Sequence, residues 1–215
     1  MTNLKLDPRF DVNCRLCPRL ANFLDQVSLK HPDYHARPVA PFGAAESRLL
    51  IVGLAPGMHG ANATGRPFTG DYAGILLYEA LYQFGFSNQM QSTHVNDGLQ
   101  LTDCRITNAV KCLPPENKPI SSEVNQCNHF LTRELGDLAD GSVILALGTI
   151  AHKAVVKAMQ LRQVEYPFAH NSVHQLSAKV LVDSYHCSRY NINTRRLTTE
   201  MFHDVFKRIR ALLDQ

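Results

Sequence analysis

The sequence predicts an α/β fold in which a parallel β-sheet carries helices on both faces. Four short apolar runs have the length and composition of strands, at residues 49–53, 105–110, 142–147 and 179–185. Stretches with helical periodicity lie between and after these runs, at residues 71–84, 124–138, 150–159 and 199–213. This alternation is typical of parallel sheets, because successive parallel strands need a crossover connection that is usually a helix.

The first strand and the first helix have the clearest signals. Leu49-Leu50-Ile51-Val52 is a continuous apolar run, as expected of a strand that is buried on both faces. In the following helix the apolar residues recur at a spacing of three to four, which predicts one buried face. These residues are Ile75, Leu76, Tyr78 and Leu81. Asp71 stands just before them, where its side chain could act as the N-cap.

The remaining elements follow in the same alternation. Ser121-Ser122-Glu123 precedes the helix predicted at 124–138 and has the composition of a capping signal. Pro114, Pro115 and Pro119 mark the connection before that helix as a loop within one domain. The last predicted strand, at 179–185, is a short apolar run, and the last predicted helix, at 199–213, is an amphipathic segment.

Length, composition and charge limit the classes of protein. The chain has 215 residues, of which 45% are apolar, enough for one globular domain spanning residues 1–215. No apolar run approaches the roughly 18 residues of a membrane span, and the N-terminal residues contain no apolar signal region. We therefore expect a cytoplasmic protein that does not enter a membrane. The net charge of +3 is too small to indicate nucleic-acid binding by itself, although basic residues crowd the C-terminal end.

The residues suited to chemistry follow the ends of the predicted strands. Phe68 and Asp71 lie in a glycine-rich loop after the first strand, and Asn108 lies near the end of the second. Gly148-Thr149 follows the third strand, and residues 186–191 follow the fourth. The carboxyl ends of parallel strands share one edge of the sheet, where open α/β sheets bind their ligands. The sequence therefore predicts one site, with room for a flat ligand.

Four of the six cysteines have a spacing that suggests a shared site. Cys14 and Cys17 form a C-x-x-C pair, Cys112 follows the second strand, and Cys127 lies fifteen residues later. Four thiolates can hold zinc or an iron–sulfur cluster, but this spacing matches neither a zinc ribbon nor a bacterial ferredoxin. The alternative is a set of unconnected buried thiols. Disulfides are not expected in a cytoplasmic chain.

Five motifs make the chain similar to the uracil-DNA glycosylase superfamily. They are GLAPG at 53–57, HGAN at 59–62, TGRPFTGD at 64–71, ITNAVKC at 106–112 and HCSRYN at 186–191. With the cysteine pattern they resemble family 5, the iron–sulfur branch that is also called type B. Family 4 carries a glutamate just after the first motif glycine, where this chain has Leu54. The chain also departs from the family 5 pattern at Ala63, where arginine is frequent, and at Cys187, where proline is usual. These departures leave substrate preference and loop rigidity open.

The resemblance implies a fold, a cofactor and a partner. The implied fold is a three-layer α/β/α sandwich with a central four-stranded parallel sheet. The implied cofactor is a [4Fe–4S] cluster on Cys14, Cys17, Cys112 and Cys127, which would hold a DNA-facing loop and take no part in hydrolysis. The implied partner is single- or double-stranded DNA that contains a deaminated base, and we expect the protein to act as a monomer.

Four residues are predicted to bind a base that has been flipped out of the DNA stack. Phe68 would stack on the ring, unless it is only a core residue. Asn108 offers one donor and one acceptor that match the Watson–Crick edge of uracil, unless it only caps a turn. Backbone N–H groups around Gly57 and Met58 would bind oxygen atoms of the base.

Cleavage of the glycosidic bond leaves negative charge on the base and positive charge on the sugar. His186 would donate to the base O2 as this charge develops, unless it is a structural histidine. Asp71 would position water or stabilise the sugar cation, in addition to or instead of capping a helix. Asn191 is a further candidate for contacting the water or the backbone. Ser188 and Arg189 would contact phosphates or probe the opened duplex, unless they belong to a plain surface loop.

The predicted reaction is a monofunctional hydrolysis that excises uracil from DNA and leaves an abasic site, with hypoxanthine or other deaminated bases as further candidate substrates. No lysine is clearly placed to form a Schiff base, and Lys111 is expected to point to solvent or phosphate. Two alternatives stay open. One is a glycosylase whose main substrate is not uracil. The other is a cluster-bearing DNA-binding protein without activity, suggested by Leu54 in place of a carboxylate and opposed by Asp71 beside Phe68.

Overall fold

The centre of the protein is a sheet whose parallel strands are buried. The structure is a computed structural model that describes residues 10–214. The strands are β1 (Leu49–Gly53), β2 (Cys104–Asn108), β3 (Val143–Leu147), β4 (Val173–Leu176) and β5 (Lys179–Ser184). Their order in the sheet is β2-β1-β3-β5-β4, and every pair is parallel except β4 with β5. All residues of β1, β2 and β3 are buried, which explains the continuous apolar runs of β1 and β3, whereas β2 buries the polar Arg105, Thr107 and Asn108 as well.

Helices cover both faces of the sheet. They are α1 (Pro18–Lys30), α2 (Ala61–Thr64), α3 (Tyr72–Gln83), α4 (Ser121–Gly136), α5 (Thr149–Ala158), α6 (Arg189–Asn193) and α7 (Thr199–Leu213), with short 3-10 turns at Pro115–Asn117 and Gln163–Glu165. The α3 and α7 helices pack with one face of the sheet, and α4 and α5 pack with the other. The prediction of a three-layer α/β/α sandwich is therefore confirmed. The prediction about the N-terminal signal region falls mostly on residues 1–9, outside the described residues.

The sheet has one strand more than the four that were predicted. The β4 strand pairs antiparallel with β5 at the edge of the sheet, and Leu176 is its only buried residue. A left-handed Ser177, with φ of 57°, lies in the turn that joins the two strands. The sequence of β4 contains no apolar run because an exposed edge strand does not need one. Among the described helices, 18-residue apolar segments of the kind that could cross a membrane are absent.

The predicted N-cap of α3 is confirmed, whereas α4 begins at a different residue from the one predicted. Asp71 is the N-cap of α3, as predicted, and its Oδ1 accepts a hydrogen bond from Gly74 N at 3.1 Å. The α4 helix begins at Ser121, three residues earlier than predicted, and its N-cap is Ile120. The Ile120 N–H donates to Glu123 Oε2 at 2.9 Å. Glu123 therefore helps to cap α4, while the two serines lie inside its first turn.

Candidate active site

A cavity of about 380 Å³ opens at the carboxyl edge of the sheet. Seven of the residues predicted for base and DNA recognition or for catalysis line it: Gly57, Phe68, Asp71, Asn108, His186, Ser188 and Arg189. The loops after β1, β2 and β5 therefore converge on one site, as their order in the chain predicts. Leu54 also lines the cavity, whereas Met58 and Asn191 are not among the lining residues.

Phe68 is both a core residue and a wall of the cavity. It is buried within the cluster that joins α3 and α7 to the sheet, and its backbone has a left-handed φ of 56°. Such a conformation is uncommon for a bulky residue and persists only where the surroundings impose it. Here Tyr78 Oη donates to Pro67 O at 2.8 Å and holds the preceding residue in place. The aromatic ring is thus fixed in position before any ligand binds.

The first motif glycine allows the cavity to form. A Cβ atom at Gly53 would lie 2.4 Å from Asn108 Oδ1 and 2.6 Å from Phe68 Cζ, too close for any real side chain. Gly53 is the last residue of β1 and pairs with Asn108 at the end of β2. The absence of a side chain at this point lets the amide of Asn108 and the ring of Phe68 approach each other at the base of the site.

Asn108 presents a buried and unsatisfied amide. The residue is 3% exposed, and its Oδ1 has no hydrogen-bond partner among the described residues. Buried polar atoms almost always have a partner, so an exception in a cavity indicates a group that receives a ligand. The alternative that this oxygen caps a turn finds no support in the described hydrogen bonds.

Asp71 combines a structural contact with a position in the cavity. Its Oδ1 caps α3, and its carboxylate lies so close to Gly60 that a Cβ there would be 2.5 Å from Oδ2. Burial raises the pKa of Asp71, while hydrogen bonds from the backbone N–H groups of Gly74 and Ala73 act in the opposite direction. The cavity therefore contains a carboxylate, from Asp71, although Leu54 stands at the position where family 4 has a glutamate.

His186 is a histidine that stays neutral in its surroundings. Burial lowers its pKa to about 4, and its Nδ1 has no partner among the described residues. Its ring and that of Phe68 are 28° from parallel, with their centroids 6.1 Å apart. Asn191 Nδ2 donates to the His186 carbonyl at 2.8 Å. Asn191 thus holds the segment that carries His186, and its role as a candidate for contacting the water or the backbone stays a prediction.

Ser188 and Arg189 form part of the rim. Ser188 is the N-cap of the short α6 helix, and its Oγ accepts from Asn191 N at 3.4 Å. The exposed Arg189 places its guanidinium over the ring of Tyr72, 4.9 Å from the ring centroid. A cationic group therefore stands at the edge of the cavity, held by an aromatic ring of α3.

The four cysteines predicted to share a site do lie together. Cys14, Cys17, Cys112 and Cys127 line one small cavity between α1, the end of the β2 loop and α4. Cys112 and Cys127 are buried, and the other two are half-buried. The Lys111 N–H donates to Cys127 Sγ at 3.3 Å. This proximity favours a shared site over the interpretation as unconnected buried thiols.

Comparison with known proteins identifies the family. Residues 40–210 match the family model of the uracil DNA glycosylase superfamily. The chain belongs to this superfamily. A type-5 uracil-DNA glycosylase of Thermus thermophilus is 43% identical over 205 residues, which cover 93% of each chain. A type-5 uracil-DNA glycosylase of Pyrobaculum aerophilum is 40% identical over 204 residues, covering 93% of this chain and 89% of its own.

Similarity to the type-4 branch of the superfamily is lower. A type-4 uracil-DNA glycosylase of Thermotoga maritima is 32% identical over 149 residues, which cover 68% of this chain and 67% of the relative. The type-5 relatives match over 93% of the chain, compared with 68% for this type-4 relative, so the predicted assignment to family 5 is confirmed. Leu54, which suggested that assignment, lines the cavity beside Asp71.

The cysteine site has the chemistry that an iron–sulfur cluster requires. Burial raises the pKa of the Cys112 thiol, and the neighbouring Cys127, Cys14 and Cys17 raise it further. Thiolates packed in this way repel one another unless a metal centre neutralises them. Around a single zinc ion, thiolate sulfurs stand about 3.8 Å apart, given Zn–S bonds of about 2.3 Å. Four cysteine side chains that line one cavity supply the ligand type that both zinc and iron–sulfur centres use.

The direction of the Lys111 side chain differs from the prediction made from the sequence. It was expected to face solvent or phosphate, but its side chain is 1% exposed and its Nζ lies 2.8 Å from Glu134 Oε1 of α4. Lys111 Nζ also donates to Thr107 Oγ1. A buried lysine needs such a partner to remain charged. Glu134, a carboxylate on the buried face of α4, was the signal in the sequence that could have predicted this pair.

Two features of the site were not predicted. Arg66 and Asp97 form a buried ion pair, with Nη1 and Oδ1 2.8 Å apart, behind the loop that carries Phe68. Burial raises the pKa of Asp97, but hydrogen bonds from Arg66 and from three backbone N–H groups together hold that pKa well below its usual range. Asn117, from the connection between β2 and α4, lines the cavity beside the predicted residues. Neither feature leaves a local pattern in the sequence, because each depends on contacts between distant segments.

Proposed function

We propose that this chain is a monofunctional uracil-DNA glycosylase that draws uracil out of DNA into the cavity and hydrolyses its glycosidic bond. One observation carries the proposal. The cavity combines an aromatic ring, an unpartnered buried amide, a neutral imidazole and a carboxylate, supplied by Phe68, Asn108, His186 and Asp71. A planar base with a polar edge is the ligand that uses all of these groups.

Binding of the base requires a flat surface and a matching polar edge. In the proposed complex the uracil ring stacks on Phe68, whose position is already fixed by the surrounding core. Asn108 Oδ1 accepts from uracil N3–H, and its Nδ2 donates to uracil O4. Extruding the base from the duplex costs about a few kcal/mol, which contacts in the cavity have to offset. A preformed site offsets more of this cost, because no further free energy is needed to order its side chains.

Cleavage separates charge, and the cavity holds groups that suit both charges. The C1′–N1 bond breaks with its electron pair remaining on uracil, and His186 donates a hydrogen bond to O2 of the leaving base. The Asp71 carboxylate stabilises the positive charge that develops on the sugar and orients water toward C1′. Addition of this water to C1′, with loss of one proton, gives free uracil and an abasic site. Lysine is absent from the cavity lining formed by residues 10–214, so a Schiff base is not part of the proposed reaction.

The function is tested with duplexes that carry uracil, hypoxanthine, xanthine or mismatched thymine. Each is incubated with purified protein, and strand scission is measured with and without alkali. We expect scission of the uracil duplex only after alkali treatment, as required for a monofunctional enzyme. Excision of hypoxanthine or xanthine would extend the substrate range to other deaminated bases. Intact uracil duplexes, or scission without alkali, would contradict the proposed reaction.

The substitution Asp71→Asn separates catalysis from helix capping. Asn caps helices as well as Asp does, so we expect the melting temperature to stay unchanged. The negative charge beside the sugar is lost, and we expect the single-turnover rate to fall by about 100-fold, the scale of one preorganised electrostatic contact. DNA affinity, measured by fluorescence anisotropy, should change little. Full single-turnover activity in this variant would restrict Asp71 to its capping role.

We also propose that Cys14, Cys17, Cys112 and Cys127 hold a [4Fe–4S] cluster. When bound, the cluster would join the segment before α1, the loop after β2 and the α4 helix, and hydrolysis requires no redox step from it. The support is the shared cavity of the four thiols and their mutual effect on pKa. The chain's own residues still carry out binding and catalysis.

Protein purified without oxygen should be brown and contain about four irons per chain. We expect Cys112→Ala to lose iron and to melt at a lower temperature, because metal binding and folding are coupled. Cys104→Ala is the matched control, since Cys104 is fully buried in the core and lies away from the cysteine site. Colourless protein with stoichiometric zinc would refute the cluster. Because one chain lines the whole cavity, a monomer suffices for the reaction, and monomeric action in the cytoplasm stays a prediction.

A further inference from the structure

Three side chains with metal-ligating groups meet where α5 packs against β4 and β5. They are His152 of α5, His174 of β4 and Asp183 of β5. Their ligand atoms all lie within 4.8 Å of one another, and within residues 10–214 this is the one group of three or more such side chains that are so close. None of the three lines the active-site cavity. The proposed reaction therefore gives this cluster no role.

The cluster is enclosed by the core on one side and reaches the surface on the other. The side chains of His152 and Asp183 are 2% and 0% exposed, whereas the side chain of His174 is 11% exposed. His174 lies on the edge strand of the sheet, two residues after the half-buried Ser172. An ion from solvent would therefore reach the cluster on the side of His174.

The hydrogen bonds of His152 leave one of its two contacts without a proton. Its Nε2 lies 2.8 Å from Tyr166 O, and because a carbonyl oxygen only accepts, this nitrogen carries the hydrogen of a neutral ring. The lone pair of Nδ1 then faces Asp183 Oδ1 at 2.7 Å. A lone pair and a carboxylate oxygen repel each other at this distance unless a proton or a metal ion lies between them. The contact therefore requires one more positive charge than the neutral ring supplies.

The second oxygen of the same carboxylate also lies among possible ligands. Asp183 Oδ2 is 3.2 Å from His174 Nε2 and 3.1 Å from Ser172 Oγ. The shortest contact of Ser172 Oγ is with Ala169 O, at 2.7 Å, and this contact uses the single hydrogen of the hydroxyl. The hydroxyl then presents a lone pair to the carboxylate. Nitrogen and oxygen atoms thus surround a point that favours a cation.

We infer that His152 Nδ1, His174 Nε2 and the Asp183 carboxylate bind a zinc ion, with water from the open side as the fourth ligand. Imidazole and carboxylate are ordinary zinc ligands. Tetrahedral zinc holds neighbouring nitrogen and oxygen ligands about 3.3 Å apart, given bonds of about 2.0 Å. The observed 2.7 and 3.2 Å therefore need only small outward movements of the ligands.

The surroundings of the cluster support this inference. The Tyr166 carbonyl would orient the His152 ring, as outer hydrogen bonds commonly do at metal sites. The ion would join β4, β5 and α5 just before the segment that carries His186, which follows Asp183 by three residues. The inference does not depend on the proposed function, because the ligands lie outside the cavity.

Zinc uptake is measured on the full chain, purified without oxygen so that the cysteine site keeps its native content. The protein is dialysed against a chelator and then equilibrated with buffered free Zn²⁺. We expect wild type to take up one zinc more per chain than His174→Ala, and zinc to raise the melting temperature of wild type but not of this variant. The affinity of this site should fall by about 100-fold or more, since loss of a mere outer partner already costs about 10- to 100-fold.

His94→Ala is the matched control, because it removes an exposed histidine outside the cluster and should bind zinc as wild type does. In wild-type crystals soaked with Zn²⁺, anomalous scattering at the zinc absorption edge should show a peak between His152, His174 and Asp183. This measurement decides the question even if His174→Ala fails to fold. Equal uptake by wild type and His174→Ala, no uptake by wild type, or an anomalous peak only at the cysteines would overturn the zinc site. Failure to excise uracil would contradict the proposed function and leave the zinc site unaffected.

Discussion

Replacing His186 with alanine is expected to slow single-turnover uracil excision by about 100- to 1000-fold, the range found for loss of one preorganised donor at a developing negative charge. His186 is half-buried and lines the cavity, and its Nδ1 is buried without a partner among the described residues. The hydrogen bond to the base strengthens only as the bond breaks, so affinity for uracil-containing DNA should change little. Single-turnover kinetics with anisotropy measurements separate the two effects.

The pH dependence of His186 provides a second test of its role. Burial lowers the pKa of His186 to about 4, below the usual value for histidine. The ring is therefore neutral above about pH 5, and its protonation should not reduce the rate between pH 8 and pH 6. Because the unfolded chain protonates this histidine near its ordinary pKa of 6.5 and the folded protein does not, burial of His186 lowers the stability progressively as the pH falls from about 6.5 to about 4. His94→Ala, at an exposed histidine outside the cavity lining, is the matched control. A wild-type rate in His186→Ala would leave His186 a structural residue.

Replacing Asn108 with alanine is expected to reduce uracil excision by about 100-fold or more, at about 1–3 kcal/mol for each lost contact to the base. The amide is the one group at the deep end of the described cavity lining that offers both a donor and an acceptor. The loss should appear in affinity for uracil-containing DNA as well as in the rate, because the amide contacts the base before and during cleavage. Activity within about threefold of wild type would remove Asn108 from the base pocket.

Stability distinguishes a binding role of Asn108 from a structural one. Its Oδ1 is buried without a partner in residues 10–214, so folding gains nothing from this atom and bears the cost of removing it from water. We therefore expect the melting temperature of Asn108→Ala to equal or exceed that of wild type. A marked decrease in melting temperature would indicate that the side chain holds the end of β2 instead.

The sequence predicts the parallel core of this fold well because its strands are buried on both faces. β1 and β3 are continuous apolar runs, and the observed ends of β1, β2 and β3 lie within two residues of the predicted ones. β4 gives no such signal, since an antiparallel edge strand with a single buried residue can have almost any composition. The start of α4 was misplaced because its cap comes from a backbone group and Glu123, not from the preceding serines.

The site was predictable where a strand end places a side chain and unpredictable where distant segments meet. Phe68, Asp71, Asn108 and His186 follow strand ends, and parallel topology brings such positions together. Lys111 follows Asn108 closely in sequence, but its side chain turns toward α4, where Glu134 neutralises it. Asn117 reaches the cavity from a proline-rich connection whose path depends on its anchoring to Arg19. Its conformation cannot be derived from local sequence.

The base pocket is tested most directly by a crystal structure of the protein with free uracil. We expect the uracil ring to lie against Phe68, with N3 and O4 within hydrogen-bond distance of the Asn108 amide and O2 facing His186. The Asp71 carboxylate should face the N1 side, where the sugar would be attached. Uracil bound elsewhere on the protein, or in this cavity with its polar edge turned away from Asn108, would contradict the assignment of the cavity as the base pocket.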